Sequence, residues 1–105
     1  MAIPIRHARV TISLVGDQIQ VSPEPAYITI PAGEVTWETT EKDFQFRIVF
    51  PQTSPFSTHQ FHGGTGTPAV SGPAVAGNQR AYPYRVEPTN KSAVLTLDPT
   101  VRPTP

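Results

Sequence analysis

Thirteen of the 105 residues are proline, and they are spread along the whole chain. Each proline removes a backbone donor and clashes with the preceding helical turn. At more than twice the usual frequency of about 5%, they exclude long helices. They do not exclude short strands joined by stiff loops. Between the prolines the chain alternates apolar and polar residues with period two, the signature of half-buried strands.

The alternation divides the chain into short segments. A-R-V-T-I-S-L-V (8–15) places Val10, Ile12 and Leu14 on one face, and Gly16-Asp17 predicts a hairpin turn into Q-I-Q-V (18–21). A-Y-I-T-I (26–30) and V-T-W-E (35–38) follow, and F-Q-F-R-I-V-F (44–50) is the strongest strand pattern. Q-R-A-Y-P-Y-R-V-E (79–87) predicts a strand with Tyr82, Tyr84 and Val86 on one face. Its proline places it at an edge, a bulge or a strand start. S-A-V-L-T-L-D-P (92–99) reads as the last strand, with residues beyond it as a tail. Seven or eight strands with turns every eight to twelve residues predict an all-β sandwich. Residues 51–79 carry only short apolar pieces and read as a long crossover. It is expected to hold a short helical turn near Ser54–Phe61, anchored by Phe56 and Phe61, and an irregular edge strand from the P-A-V pairs at 68–70 and 73–75.

Length fits one domain, residues 1–105, with an ordered core from about 9 to 103. The 8 basic and 8 acidic residues give a formal net charge of zero, too little positive charge for a nucleic-acid interface. The absence of cysteine excludes disulfides, thiolate nucleophiles and thiolate metal ligands. No signal peptide and no apolar run of membrane-spanning length is visible. The expected location is therefore cytoplasmic, or periplasmic or secreted if a leader has been removed.

The stretches I-T-I-P-A-G-E-V-T-W (28–37), F-Q-F-R-I-V-F (44–50), S-P-F (54–56) and Y-P-Y-R-V (82–86), in this order, resemble the cupredoxins, the Greek-key sandwiches of small blue-copper proteins. The resemblance runs from about residue 9 to 103. It implies a bacterial cupredoxin-like fold in which a histidine would stand at or beside Phe46 and a cysteine at Val86. The loop P-T-N-K (88–91), which would supply a second histidine and a methionine, has neither. The trigonal thiolate–imidazole set that blue copper requires is thus missing. The resemblance implies the fold and denies the copper site, and no cofactor is expected. An immunoglobulin-like sandwich stays open as the alternative fold.

Other chemistry is thinly represented. His59 and His62 could share a helical face, with His7 as a third imidazole for zinc or copper; the competing reading is of two polar loop residues flanking Phe61. No G-x-S-x-G occurs. Ser54, Ser57, Asp43 and Asp98 are too common in so polar a chain to signal hydrolysis, and Glu38 and Glu41 read as solvated carboxylates. Trp37, Tyr82 and Tyr84 read as core or as an aromatic platform. The proline-guarded apolar stretch T-P-A-V-S-G-P-A-V-A-G (67–77) is a candidate partner edge through Pro68, Ala69, Val70, Pro73 and Val75. It suits β-augmentation, although its prolines could equally serve to block it. The expectation is a non-enzymatic binding or accessory module with an unknown protein partner. A metal-binding module through His59 and His62, or a structural homo-oligomer subunit, are the alternatives.

Overall fold

Valine, isoleucine and aromatic residues at alternate positions leave one face of each extended segment to be buried, and the computed structural model buries them together. It describes residues 4–75, 77, 80–90, 92–95 and 99–104. Among these there is no helix, and eleven strands form three sheets. The architecture is all-β and consistent with a β-sandwich.

β1 (Ala8–Val15) and β2 (Gln18–Ser22) form the expected hairpin, with Gly16 at a φ of 65° in the two-residue turn. Glycine suits that left-handed geometry because it carries no Cβ. β1 also pairs in parallel with β4 (Val35–Thr39), Val10 facing Trp37. β7 (Ala69–Val70) closes one end of this sheet against β4, and β10 (Val94–Leu95) the other against β2. A second sheet has β11 (Thr100–Pro103) between β3 (Ala26–Ile28) and β8 (Tyr82–Pro83). The third has β5 (Gln45–Val49) between β6 (Gln60–Gly64) and β9 (Arg85–Pro88).

Three sequence expectations are corrected. The 79–87 strand is not continuous: β8 pairs with β11 and β9 with β5, so the chain changes sheets at Tyr84. Tyr82, Tyr84 and Val86 are nevertheless all buried. The C-terminal tail is a strand, with Val101 fully buried between β3 and β8. The helical turn at Ser54–Phe61 is absent. Ser54 instead closes a loop, its hydroxyl accepting from the Phe56 amide and donating to the Thr58 carbonyl. Phe61 lies in β6, opposite Ile48. These additional short strands raise the count above the expected seven or eight. No helix among the described residues is long and apolar enough to cross a membrane.

The core is continuous. Val10, Ile12, Ile28, Val35, Trp37, Phe44, Ile48 and Val101 are fully removed from solvent. Trp37 of β4 stacks on Phe61 of β6 at 5.7 Å and meets Phe50 at 6.2 Å and Tyr84 at 5.5 Å. Aromatic pairs at such separations add about 0.5–1.5 kcal/mol each beyond their burial. The cluster joins the five-stranded sheet to the β5 sheet.

Candidate functional site

The positions at which the resemblance would put copper ligands lie in this core. Phe46 and Val86 are both buried. They do not face each other: Val86 is opposite Ile48, and Phe46 is opposite Pro88. Phe46 packs 5.9 Å from Phe44 and fills the space over Gly63, where an added Cβ would come within 2.9 Å of its ring. Apolar side chains close the region.

Two polar atoms in the core have no hydrogen-bond partner among the described residues, Trp37 Nε1 and the Tyr84 hydroxyl. Burial pushes the Tyr84 hydroxyl up to about 12. The nearby indole N–H opposes that rise without forming a hydrogen bond, and the charge of Glu24 adds to it.

The three histidines sit in different settings. His7 Nδ1 accepts from the Glu34 amide at 3.1 Å. His59 lies at 3.2 Å from the Phe50 carbonyl through Nδ1, ahead of β6. His62 is exposed on the outer face of β6, opposite Arg47. The helical face expected to unite His59 and His62 does not form. Among the described residues no three histidines or carboxylates gather as a metal site would require. The carboxylates also have structural partners: Glu41 accepts from the Leu14 amide, and Glu38 lies 3.8 Å from Arg9. Asp98 lies outside the described residues.

Residues 68–75 form a different kind of surface. Pro68, Val70, Pro73 and Val75 are exposed, whereas Ala69, Ser71 and Ala74 point inward. Val70 is 53% and Val75 56% exposed, which makes them two of the four large exposed hydrophobic residues among those described. The Ala69 side chain thus supports the surface from beneath. The inward side chains and the backbone fasten the segment. Ser71 accepts from the Val35 amide through its hydroxyl and donates its own amide to the Val35 carbonyl. Ala74 exchanges backbone bonds with Ala32 and Gly33, and the Val75 amide donates to Pro55. Pro68 and Pro73 offer no N–H to an incoming strand, so the open length of the β7 edge is centred on Val70. The segment carries no charge from Thr67 to Val75. The result is a firmly held apolar ridge on a sheet edge, suited to contact with an apolar partner surface and to at most a short strand addition.

One charged feature escaped the sequence reading. On the outer face of the β5 sheet, Arg47 donates through Nε at 3.0 Å and through Nη2 to the same Glu87 carboxylate oxygen, and Arg85 approaches the other oxygen at 3.6 Å. Arg47 and Glu87 are forty residues apart, and only the β5–β9 register, which sets them directly opposite, reveals the pair.

Comparison of the chain with protein-family models, with curated proteins and with solved structures finds no match.

Proposed function

We propose that this chain is a non-catalytic binding module that meets a protein partner through the Pro68–Val75 ridge. Its frame is read as a Greek-key, cupredoxin-like sandwich in which Phe46 and Val86 stand at the ligand positions of a copper site. One observation carries the proposal: four apolar side chains project in succession from a backbone whose inward residues are bonded in place. A soluble domain gains nothing in its own stability from exposing them. A firmly held apolar ridge is the surface a partner can use without a large ordering cost.

The reading is tested by a Val70→Asp, Val75→Asp double variant. Both side chains are exposed, so the variant should unfold within about 0.5 kcal/mol of the wild type. Immobilised on a resin, it should lose whichever protein the wild type retains reproducibly from lysate of the source cells. Equal retention by both proteins would rule out the ridge as the contact surface. Sedimentation of the wild type at high concentration separates the two kinds of partner. Self-association abolished by the double variant would make the partner a second copy of the chain.

A further inference from the structure

Residues 32–35 form a strip between two other segments: Glu34 bonds to one side, and Ala32, Gly33 and Val35 bond to the other. On one side lie His7 and the first residue of β1, Ala8. Glu34 donates its amide to His7 Nδ1 at 3.1 Å, and the Glu34 carbonyl accepts from the Ala8 amide at 2.9 Å. On the other side lies the ridge segment. Val35 is bonded to Ser71 through both its amide and its carbonyl, the Gly33 carbonyl accepts from Ala74, and the Ala32 amide donates to the Ala74 carbonyl. The strip has little slack. A Cβ at Gly33 would fall 2.5 Å from the Thr29 carbonyl oxygen and 2.6 Å from that of Arg6. Ala32 is held at a φ of 91°, a conformation that costs a residue with a Cβ of order 1–3 kcal/mol.

The bond to His7 has an unusual requirement. A backbone N–H can donate to Nδ1 only while that nitrogen keeps its lone pair, that is, while the imidazole is neutral and carries its proton on Nε2. Protonation turns both ring nitrogens into donors and sets an N–H against an N–H. Histidine is the side chain that makes this change within the physiological range.

We propose that His7 is a pH-sensitive latch that sets how firmly the 32–35 strip, and through it the ridge segment, is held. With His7 neutral, Glu34 is bonded to the N-terminal segment through both its amide and its carbonyl. With His7 protonated, Glu34 loses its side-chain acceptor, the strained turn at Ala32 is freer to relax, and the bonds from Ser71 and Ala74 lose their backing. The charged and titratable groups of the surrounding elements do not take over this role. Arg6 lies over the Tyr27 ring of β3 at 5.6 Å, Arg9 of β1 is paired with Glu38 of β4, and the Glu34 carboxylate belongs to the strip itself. The ridge segment from Thr67 to Val75 contains no titratable group. The latch stands whether or not the ridge binds a partner, and its test uses none.

The test is amide hydrogen exchange followed by NMR between about pH 5 and pH 8, corrected for the intrinsic chemical rate. In the wild type, protection at Glu34, Ser71 and Ala74 is expected to fall on the order of three- to tenfold as the pH is lowered, the worth of one lost hydrogen bond. Amides of β5 serve as the reference and should not change. His7→Asn offers a carboxamide oxygen near the position of Nδ1 and cannot be protonated in this range. Its protection should stay high and flat. His7→Ala should be weakly protected at both ends of the range. An equal pH-dependent fall in His7→Asn would overturn the latch. A fall confined to Glu34, with Ser71 and Ala74 unmoved, would overturn its coupling to the ridge.

Discussion

The Trp37 and Tyr84 rings meet edge to face, with centroids 5.5 Å apart and planes at 69°, and the polar atom of each is buried without a hydrogen bond. Tyr84 reaches this position because the chain changes sheets there, between β8 and β9. Its ring lands against β4 and against Phe50, 5.6 Å away. A buried polar group without a partner costs about 1–3 kcal/mol. Ring burial offsets that cost, since burying a large side chain stabilises by about 1.5–3 kcal/mol.

The buried phenol makes the protein sensitive to high pH in a definite direction. The folded-state value for Tyr84 is raised from 10.0 to about 12. Its contribution to stability is therefore complete below pH 10.0 and is lost as the pH rises towards 12. A shift of this size corresponds to on the order of 2 kcal/mol. In Tyr84→Phe this loss should disappear from urea unfolding curves recorded between about pH 9 and pH 12. At neutral pH the variant should be unchanged, or more stable by up to about 1 kcal/mol, because an unsatisfied hydroxyl has gone. A parallel alkaline loss in both proteins would assign the sensitivity elsewhere.

Phe56 lies in the irregular segment before β6, yet its ring is 5.7 Å from both Phe50 and Phe61. Phe56→Ala should therefore behave as a core truncation, costing about 3–5 kcal/mol. That is a large part of the 5–15 kcal/mol typical of a small domain. Tryptophan fluorescence and circular dichroism should report one shared transition at a lower urea midpoint. A loss below about 1 kcal/mol would mean that residues 51–59 open separately from the rest of the core.

Strands whose burial pattern is local were legible in the sequence. F-Q-F-R-I-V-F buries Phe44, Phe46, Ile48 and Phe50 as its alternation requires, and the Gly16-Asp17 turn forms where expected. Partners were not legible. The parallel pairing of β1 with β4 and the place of β11 between β3 and β8 arise from segments far apart in the chain. Residues 100–103 offer Val101 as their one hydrophobic side chain besides a proline, so nothing local marks them as a central strand. Phe56 and Phe61 read as anchors of a helical turn; cross-strand pairing of Phe61 with Ile48 and the Ser54 loop prevailed. The 67–77 stretch was legible as a surface through its prolines and lack of charge. That Ala69 points inward, and that Ser71 and Ala74 hold the segment to 32–35, required the register.

The Arg47–Glu87–Arg85 group on the outer face of the β5 sheet calls for a smaller number. The Arg47 side chain is 40% exposed and that of Glu87 31%, so water and salt screen the pair. Exposed ion pairs are worth about 0–1 kcal/mol. Glu87→Gln leaves two guanidinium groups side by side without their shared carboxylate, which places the expected loss near the upper end of that range. At 1 M salt the screening length falls to about 3 Å. The difference between variant and wild type should then shrink towards zero in urea unfolding at high sodium chloride. A loss above about 2 kcal/mol, or one that salt leaves untouched, would show that Glu87 supports the sheet through its hydrogen-bond geometry and not through its charge.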